Sequence, residues 1–545
     1  MSRIDNMQNK LPKKSINFTE KKYNYIFNLF LFFYLILGFY FSINTGIATD
    51  EPVEQYIWKL NVEAVKDFFG YNENGYLNLF EYEGRYHGIG FHFISQLYLQ
   101  LIGIITNFER FSEDTSKILL NHSLIFFTYF LSGIFAKKIL NLLIKDKLYS
   151  NLFLVFYLCY PYLLGHGFYN PKDMPFLFGW ILSTYISLRI FLKIYRNENV
   201  PLLKFIFLSL STAFLLSIRI PGFLILLQYL ITFIITSNLM KEPFYKILKL
   251  YFNKIFIFLF FTLLLTFFSY PIFWKDPMLI FDAMNKMKNF PYGVCTLTLG
   301  RCMDAMNLPS SYIFIWLFFK LPFLSLVGLI LFPFIEKKIF SQKSNQIILG
   351  SILLTIISII FLLIFLEASL FDELRHILYI VPLILIISFT SIYFFSKKLM
   401  LYVAILSIFS FSLQNINMYP YQYTWLNLFS NFINVNNNFE LDYWGVSGRN
   451  IASKINNNDQ LLRHKDECIY VAPKHIIEPF ISADYNCVKT FFSIYPKSTE
   501  KYILVKYTRN IRRENPSNCE LIIEESYNLN LFKDKLTMGK VFICN

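Results

Sequence analysis

The chain has 545 residues and carries 51 Lys and Arg against 37 Asp and Glu, a formal net charge of +14, yet only 16% of it is charged while 55% is hydrophobic and 19% aromatic. That balance excludes a water-soluble enzyme of ordinary surface and describes a mainly α, polytopic helical membrane protein. The basic residues stand in short clusters between apolar runs, as in cytoplasmic loops, which argues against nucleic acid as a partner.

The N-terminal stretch "MSRIDNMQNKLPKKSINFTEKKYNY" is basic and precedes an apolar run too long for the core of a cleavable signal. It reads as a retained first span with its N-terminus inside. A span needs about 20 mostly apolar residues. Runs that meet this lie near 24–43, 118–136, 150–165, 175–192, 203–218, 220–238, 252–270, 311–333, 346–366, 376–394 and 399–414, about eleven spans in all.

One further segment, Gly88 to Phe108, carries His92, Gln96 and Gln100 on one helical stripe, which suits a helix lying in the interface. Charge parity supports that choice. If the segment does not cross, the clusters around Lys137, Lys193, Lys241, Lys337 and Lys397 all fall on the cytoplasmic side; if it crosses, all five move outside. The N-terminus is therefore expected on the cytoplasmic side. The loops "TDEP", "GHGFYNPKDMPF", Pro271 to Ser310 and "EASLFDELRH" then face outward.

The division predicted is a transmembrane part, 1–414, and an extracytoplasmic part, 415–545. The tail is polar and Asn-rich, with short runs "CIYVAP", "YILVKY", "ELIIEE" and "KVFICN" that read as strands of a small soluble α/β domain. Cys468, Cys487, Cys519 and Cys544 lie there, and Cys295 and Cys302 in an outer loop, so six of seven cysteines fall where disulfides persist. No Cys or His spacing suggests zinc.

Polar groups crowd the outer ends of the spans. The first loop has Asp50, Glu51 and Glu54, followed by Arg85, His87 and His92; later loops bring Lys172 and Asp173, then Arg219, then Asp372, Glu373, Arg375 and His376. A sugar carried on a polyprenyl phosphate would meet this face with its tail in the bilayer. Its transfer needs a carboxylate to take the acceptor hydroxyl proton and cations to stabilise the departing phosphate. Each element has a plainer reading. An acidic pair after a span is also a solvated helix end, "NPKD" is also a Pro-bounded turn, and "DELRH" is also an ion-pair turn.

The order of first span, outer "TDEP", interfacial helix, "GFYNPKDMPF", "FDELRHILYIVP" and "YPYQYTWLN...FELDYWG" resembles the membrane glycosyltransferases of family 39, the group of the protein O-mannosyltransferases and the lipid A aminoarabinose transferases. It extends to about Gly445. The resemblance implies a C-type membrane glycosyltransferase fold and inverting transfer from a polyprenyl-phosphate-linked sugar to a lipid, glycan or protein acceptor. It implies Asp50 as general base with Glu51 its neighbour, Asp173 positioning donor or acceptor, and Arg219, Arg375 and Lys172 on the donor phosphate. Arg85, His87 and His376 complete the substrate-binding candidates. The mannosyltransferases' folded insert has no counterpart, because the loop 271–310 is too short. The resemblance fixes no cofactor, and a divalent metal is compatible with this chemistry. The rival expectations are a lipid-linked sugar flippase and a non-catalytic envelope assembly protein.

Overall fold

The structure is a computed structural model that describes residues 18–105, 112–288, 293–491, 501–512, 514, 518–528 and 535–544. The basic stretch before residue 18 and the end of the Gly88–Phe108 segment lie outside the described residues.

The chain is mainly helical. Helix α1 (Phe18–Ile43) leads by a short link to α2 (Glu51–Phe68), α3 (Gly75–Glu81), α4 (Gly90–Ile105) and the long α5 (Glu113–Ile144). Then follow α6 (Lys147–Cys159), α7 (Pro161–Tyr169), α8 (Asp173–Tyr195), α9 (Leu202–Ile218), α10 (Leu224–Met240) and α11 (Phe244–Phe268). Two short helices, α12 (Ile272–Lys275) and α13 (Leu279–Lys288), precede a hairpin of β1 (Cys295–Thr298) and β2 (Arg301–Asp304). The membrane part closes with α14 (Ser311–Lys320), α15 (Phe323–Phe340), α16 (Lys343–Phe365), α17 (Val381–Phe395) and α18 (Lys397–Met418).

Among the described residues, eight helices are long and apolar enough to cross a membrane. Every run expected to span is helical, with two changes of shape. The run near 150–165 is bent by 61° between α6 and α7, and the run 311–333 is two helices, α14 and α15, at 117°. Both breaks stand at a proline, Pro161 and Pro322. Proline lacks the N–H that would continue the ladder and holds the residue before it extended; Tyr160 and Leu321 are extended accordingly. Helix α9 has only 17 residues and falls below span length.

Helix α2 is not a span. Its first turn holds Glu51 and Glu54, which suits the positive end of the helix dipole, and Ile57, Leu60 and Ala64 bury one face. Helix α4 exposes Phe93, Ile94, Leu97 and Leu101 while Phe91 and Ser95 are buried, the two-faced pattern expected of an interfacial helix.

The tail folds round a five-stranded sheet in the order β4-β3-β5-β7-β6, where β3 is Cys468–Val471, β4 Cys487–Thr490, β5 Tyr502–Tyr507, β6 Cys519–Asn528 and β7 Lys535–Cys544. The four predicted strands are present, and β4 is an addition. Strands β4, β3 and β5 run parallel; β7 lies antiparallel between β5 and β6. A helix at Gly448–Asn456 buries Ile451 and Ile455 with Ile469, Ile503 and Val541 of the sheet. Six cysteines pair as Cys295–Cys302, Cys468–Cys487 and Cys519–Cys544, leaving Cys159 free.

The segment between α18 and that helix packs downward. Tyr421, Tyr423, Trp425, Trp444 and Val446 join the same apolar core as α5, α7, α8 and α17. Gly46, in the link from α1 to α2, permits the closest approach: a Cβ there would stand 2.2 Å from the Val446 carbonyl oxygen. Thr49 donates both its N–H and its hydroxyl to the Trp444 carbonyl, each at 2.8 Å. The residue before Asp50 is thereby fixed to the start of the tail.

Candidate functional site

Asp50 stands at the N-terminus of α2 without capping it. Its Oδ2 lies 3.0 Å from Nη1 of Arg375, and the two side chains differ in access: 42% exposed for Asp50, 8% for Arg375. Arg375 is 3.6 Å from Asp372 through Nε, and its guanidinium lies 4.7 Å over the Trp444 ring. His376 accepts from Arg375 Nε at 3.4 Å and packs edge-on against Phe371.

The "NPKD" turn supplies the next groups. Asn170 Oδ1 accepts from the N–H groups of Lys172 and Asp173, and its amide donates to Asp173 at 3.0 Å. The turn starts α8 with its lysine and aspartate both buried. Asp173 pairs with Arg219 at 2.7 Å, and Lys172 with Glu54 at 2.7 Å. Arg219 has extended backbone between α9 and a short 3₁₀ turn, so it enters the site from the break between two apolar runs.

Glu54 is also 3.8 Å from His92, whose ring stacks on Trp58. Burial opposes its ionisation, but Lys172 and the neighbouring histidines outweigh this and hold Glu54 at about 2. Burial, reinforced by Lys172, pushes His87 down to about 3, so its ring is neutral at pH 7. The loop carrying these histidines sits tight on the end of α9: a Cβ on Gly90 would fall 1.7 Å from Ser217 Oγ.

Of the residues predicted from sequence, Asp50, Lys172, Asp173, Arg219, Arg375, His87 and His376 therefore share one ionic cluster at one end of the helices. Glu51 and Arg85 do not. Glu51 points into the protein, accepting from the Ala48 N–H at 2.7 Å and pairing with His122 at 2.8 Å. Arg85 donates to the Phe80 carbonyl at 2.6 Å and lies over Tyr86, closing the loop after α3. Among the described residues, no group of three or more His, Cys, Asp or Glu is arranged to hold a metal ion.

Four contacts could not be read from the sequence. The pairing of Glu54 with Lys172 joins positions 118 apart, and His92 faces that pair. His122, the partner of Glu51, is a lone histidine inside the run "LLNHSLIFF", where an ionisable group needs a partner. Arg509, from the tail, pairs with Asp372 and has no local signal.

No protein-family model and no curated protein matches the chain. The class of protein defined by these observations is a polytopic, mainly helical membrane protein with a small C-terminal sheet region.

Proposed function

We propose that the protein is a membrane glycosyltransferase of the family 39 kind, which moves a sugar from a polyprenyl phosphate to an acceptor at the outer face of a bacterial inner membrane, with inversion. One observation carries this reading. Asp50 is a half-open carboxylate held by a buried guanidinium, with the Lys172–Glu54 and Arg219–Asp173 ion pairs in the same cluster. The acceptor hydroxyl gives its proton to Asp50 as its oxygen bonds to the anomeric carbon. The bond from that carbon to the phosphate oxygen breaks, and the polyprenyl phosphate leaves with the electron pair.

Arg219 is the candidate for the phosphate. Its Nη2 holds Asp173 while its Nε is buried with no hydrogen-bond partner among the described residues, and a buried guanidinium donor left unpaired favours an anionic acceptor. Lys172 adds charge, and Arg375 holds Asp50 in place. Glu51 acts through the fold, fixing the link from α1 to α2. The topology in this reading has about eleven crossings with the N-terminus inside. Its support is that all three disulfides lie on the side that charge parity makes external.

The test is mass spectrometry of polyprenyl-phosphate sugars and envelope glycans in cells lacking the protein. One lipid-linked sugar should accumulate as one modification disappears, and Asp50→Asn should fail to reverse either change. An unaltered lipid-linked sugar pool refutes the reading.

A further inference from the structure

The C-terminal domain reaches the cluster by a chain of alternating charges. Arg509, in the turn after β5, pairs with Asp372; Asp372 lies 3.6 Å from Arg375; and Arg375 lies 3.0 Å from Asp50. The disulfide-closed hairpin forms the seat of this chain. Its Cys295 carbonyl accepts from Arg509 Nε at 3.2 Å, and its Thr296 hydroxyl accepts from the Asp372 N–H at 2.9 Å. Glu440 also faces Arg509, 3.9 Å from its Nε, and is paired with Arg512 at 2.7 Å and hydrogen-bonded to the hairpin through the Leu297 N–H.

Arg375 thus stands between two carboxylates, one half-open and one buried. A buried carboxylate left short of a partner is costly, so it draws in any cation within reach. With Arg509 in place the Asp372 charge is met from the tail side, and Arg375 is left to Asp50. Without Arg509 the two aspartates compete for one guanidinium, and the buried one has the stronger claim.

We propose that Arg509 is a positioning residue of the active site: by neutralising Asp372 it leaves Arg375 free to hold Asp50, which makes the C-terminal domain a working part of the site. This rests on the reading of Asp50 as general base. No pairing within the membrane part replaces this contact, because the charge on Asp372 is met only by Arg375 and Arg509 among the described residues.

The test uses purified full-length protein in detergent, with the polyprenyl-phosphate fraction extracted from deletion cells as donor and membranes of those cells as acceptor. Arg509→Ala is expected to lower the transfer rate about tenfold or more, and Arg509→Lys by less. The diagnostic variant is Arg509→Ala with Asp372→Asn. Removing the competing charge should recover transfer to within about threefold of Asp372→Asn alone, since residues that act through one another are not additive. A residue that merely holds the tail in place would show no such recovery. Wild-type rate in Arg509→Ala, or a double variant as slow as Arg509→Ala, overturns the proposal. If Arg509→Ala does not fold, Arg509→Lys carries the same comparison in the Asp372→Asn background. Asp50→Asn is run in parallel: its activity alone decides the reading of Asp50, so either idea can fail without the other.

Discussion

The Arg375 guanidinium meets the Asp50 carboxylate at 3.0 Å across 325 residues of chain, joining the start of α2 to the 3₁₀ turn that precedes α17. Access is unequal, with the acid half-open and the cation buried. Asp50→Asn keeps the shape and one hydrogen bond to Arg375 but removes the proposed base. Transfer is expected to fall about 10²- to 10⁴-fold, with membrane abundance unchanged on immunoblots. Arg375→Ala should lose abundance as well, because it strips the buried Asp372 of a partner.

His87 and Glu54 bear on stability in acid. The folded His87 titrates near 3 and the unfolded one near 6.5, so below pH 6.5 the unfolded chain takes up a proton that the folded chain refuses. This contribution is intact above pH 6.5 and lost progressively toward pH 3. Glu54, folded at about 2 against 4.5 unfolded, loses its contribution in the same direction between those values. Comparing His87→Gln with wild type isolates the first effect. The melting-temperature difference between wild type and variant should shift against wild type by the equivalent of about 1–2 kcal/mol from pH 7 to pH 5. A difference that stays constant over that range contradicts it.

The apolar runs made the helices legible, and so did the position of Asp50 at the end of one. Lys172, Asp173 and Arg219 were legible because charged side chains are scarce in such a sequence. The pairings were not. Nothing local in "TDEPVEQY" tells which acid turns outward, yet the helical register of α2 sends Glu51 to His122 and Glu54 to Lys172 while leaving Asp50 open. The hairpin had an unused signal in "CTLTLGRC": Leu299 and Gly300 both have positive φ, as a two-residue hairpin turn requires. Arg509 could not be found, since its partner lies 137 residues away.

Glu51 and Asp50 are neighbours with separable roles. Burial pushes the Glu51 carboxyl up, and the His122 contact draws it back. His122→Ala leaves that carboxylate without its main partner and should cost about 1–3 kcal/mol of stability. Glu51→Gln can still accept from the Ala48 N–H and should retain transfer well above Asp50→Asn. Equal loss in Glu51→Gln and Asp50→Asn, at matched protein levels, would show that the pair acts together.

The cysteines test sidedness. Six are paired and Cys159 is free on α6. Under denaturing, non-reducing conditions a maleimide–polyethylene glycol reagent should add one label, and after reduction seven. Additional labels without reduction mean that an outer pair is open and that the parity assignment of that loop is wrong.

Lys320 and Glu373 form a fully buried pair at 2.8 Å, where α14 breaks at Pro322. The lysine also donates to the Tyr423 carbonyl at 3.1 Å and lies 4.6 Å over the Tyr162 ring. Burial pushes the Glu373 carboxyl up and the Lys320 cation draws it back, so a lone Glu373 takes up a proton rather than keep a buried charge. A lone Lys320 is left with one carbonyl and aromatic faces. The two deletions should therefore differ. Glu373→Gln is expected to cost about 3–5 kcal/mol, the range for an unpaired buried charge, and Lys320→Met about 1–3 kcal/mol, the cost of an unsatisfied polar group. Lys320→Met with Glu373→Leu should be more stable than Glu373→Gln alone, because it buries no charge. Melting temperatures in one detergent at pH 7 give the order, and a Lys320→Met protein less stable than Glu373→Gln reverses the assignment of which partner carries the burden.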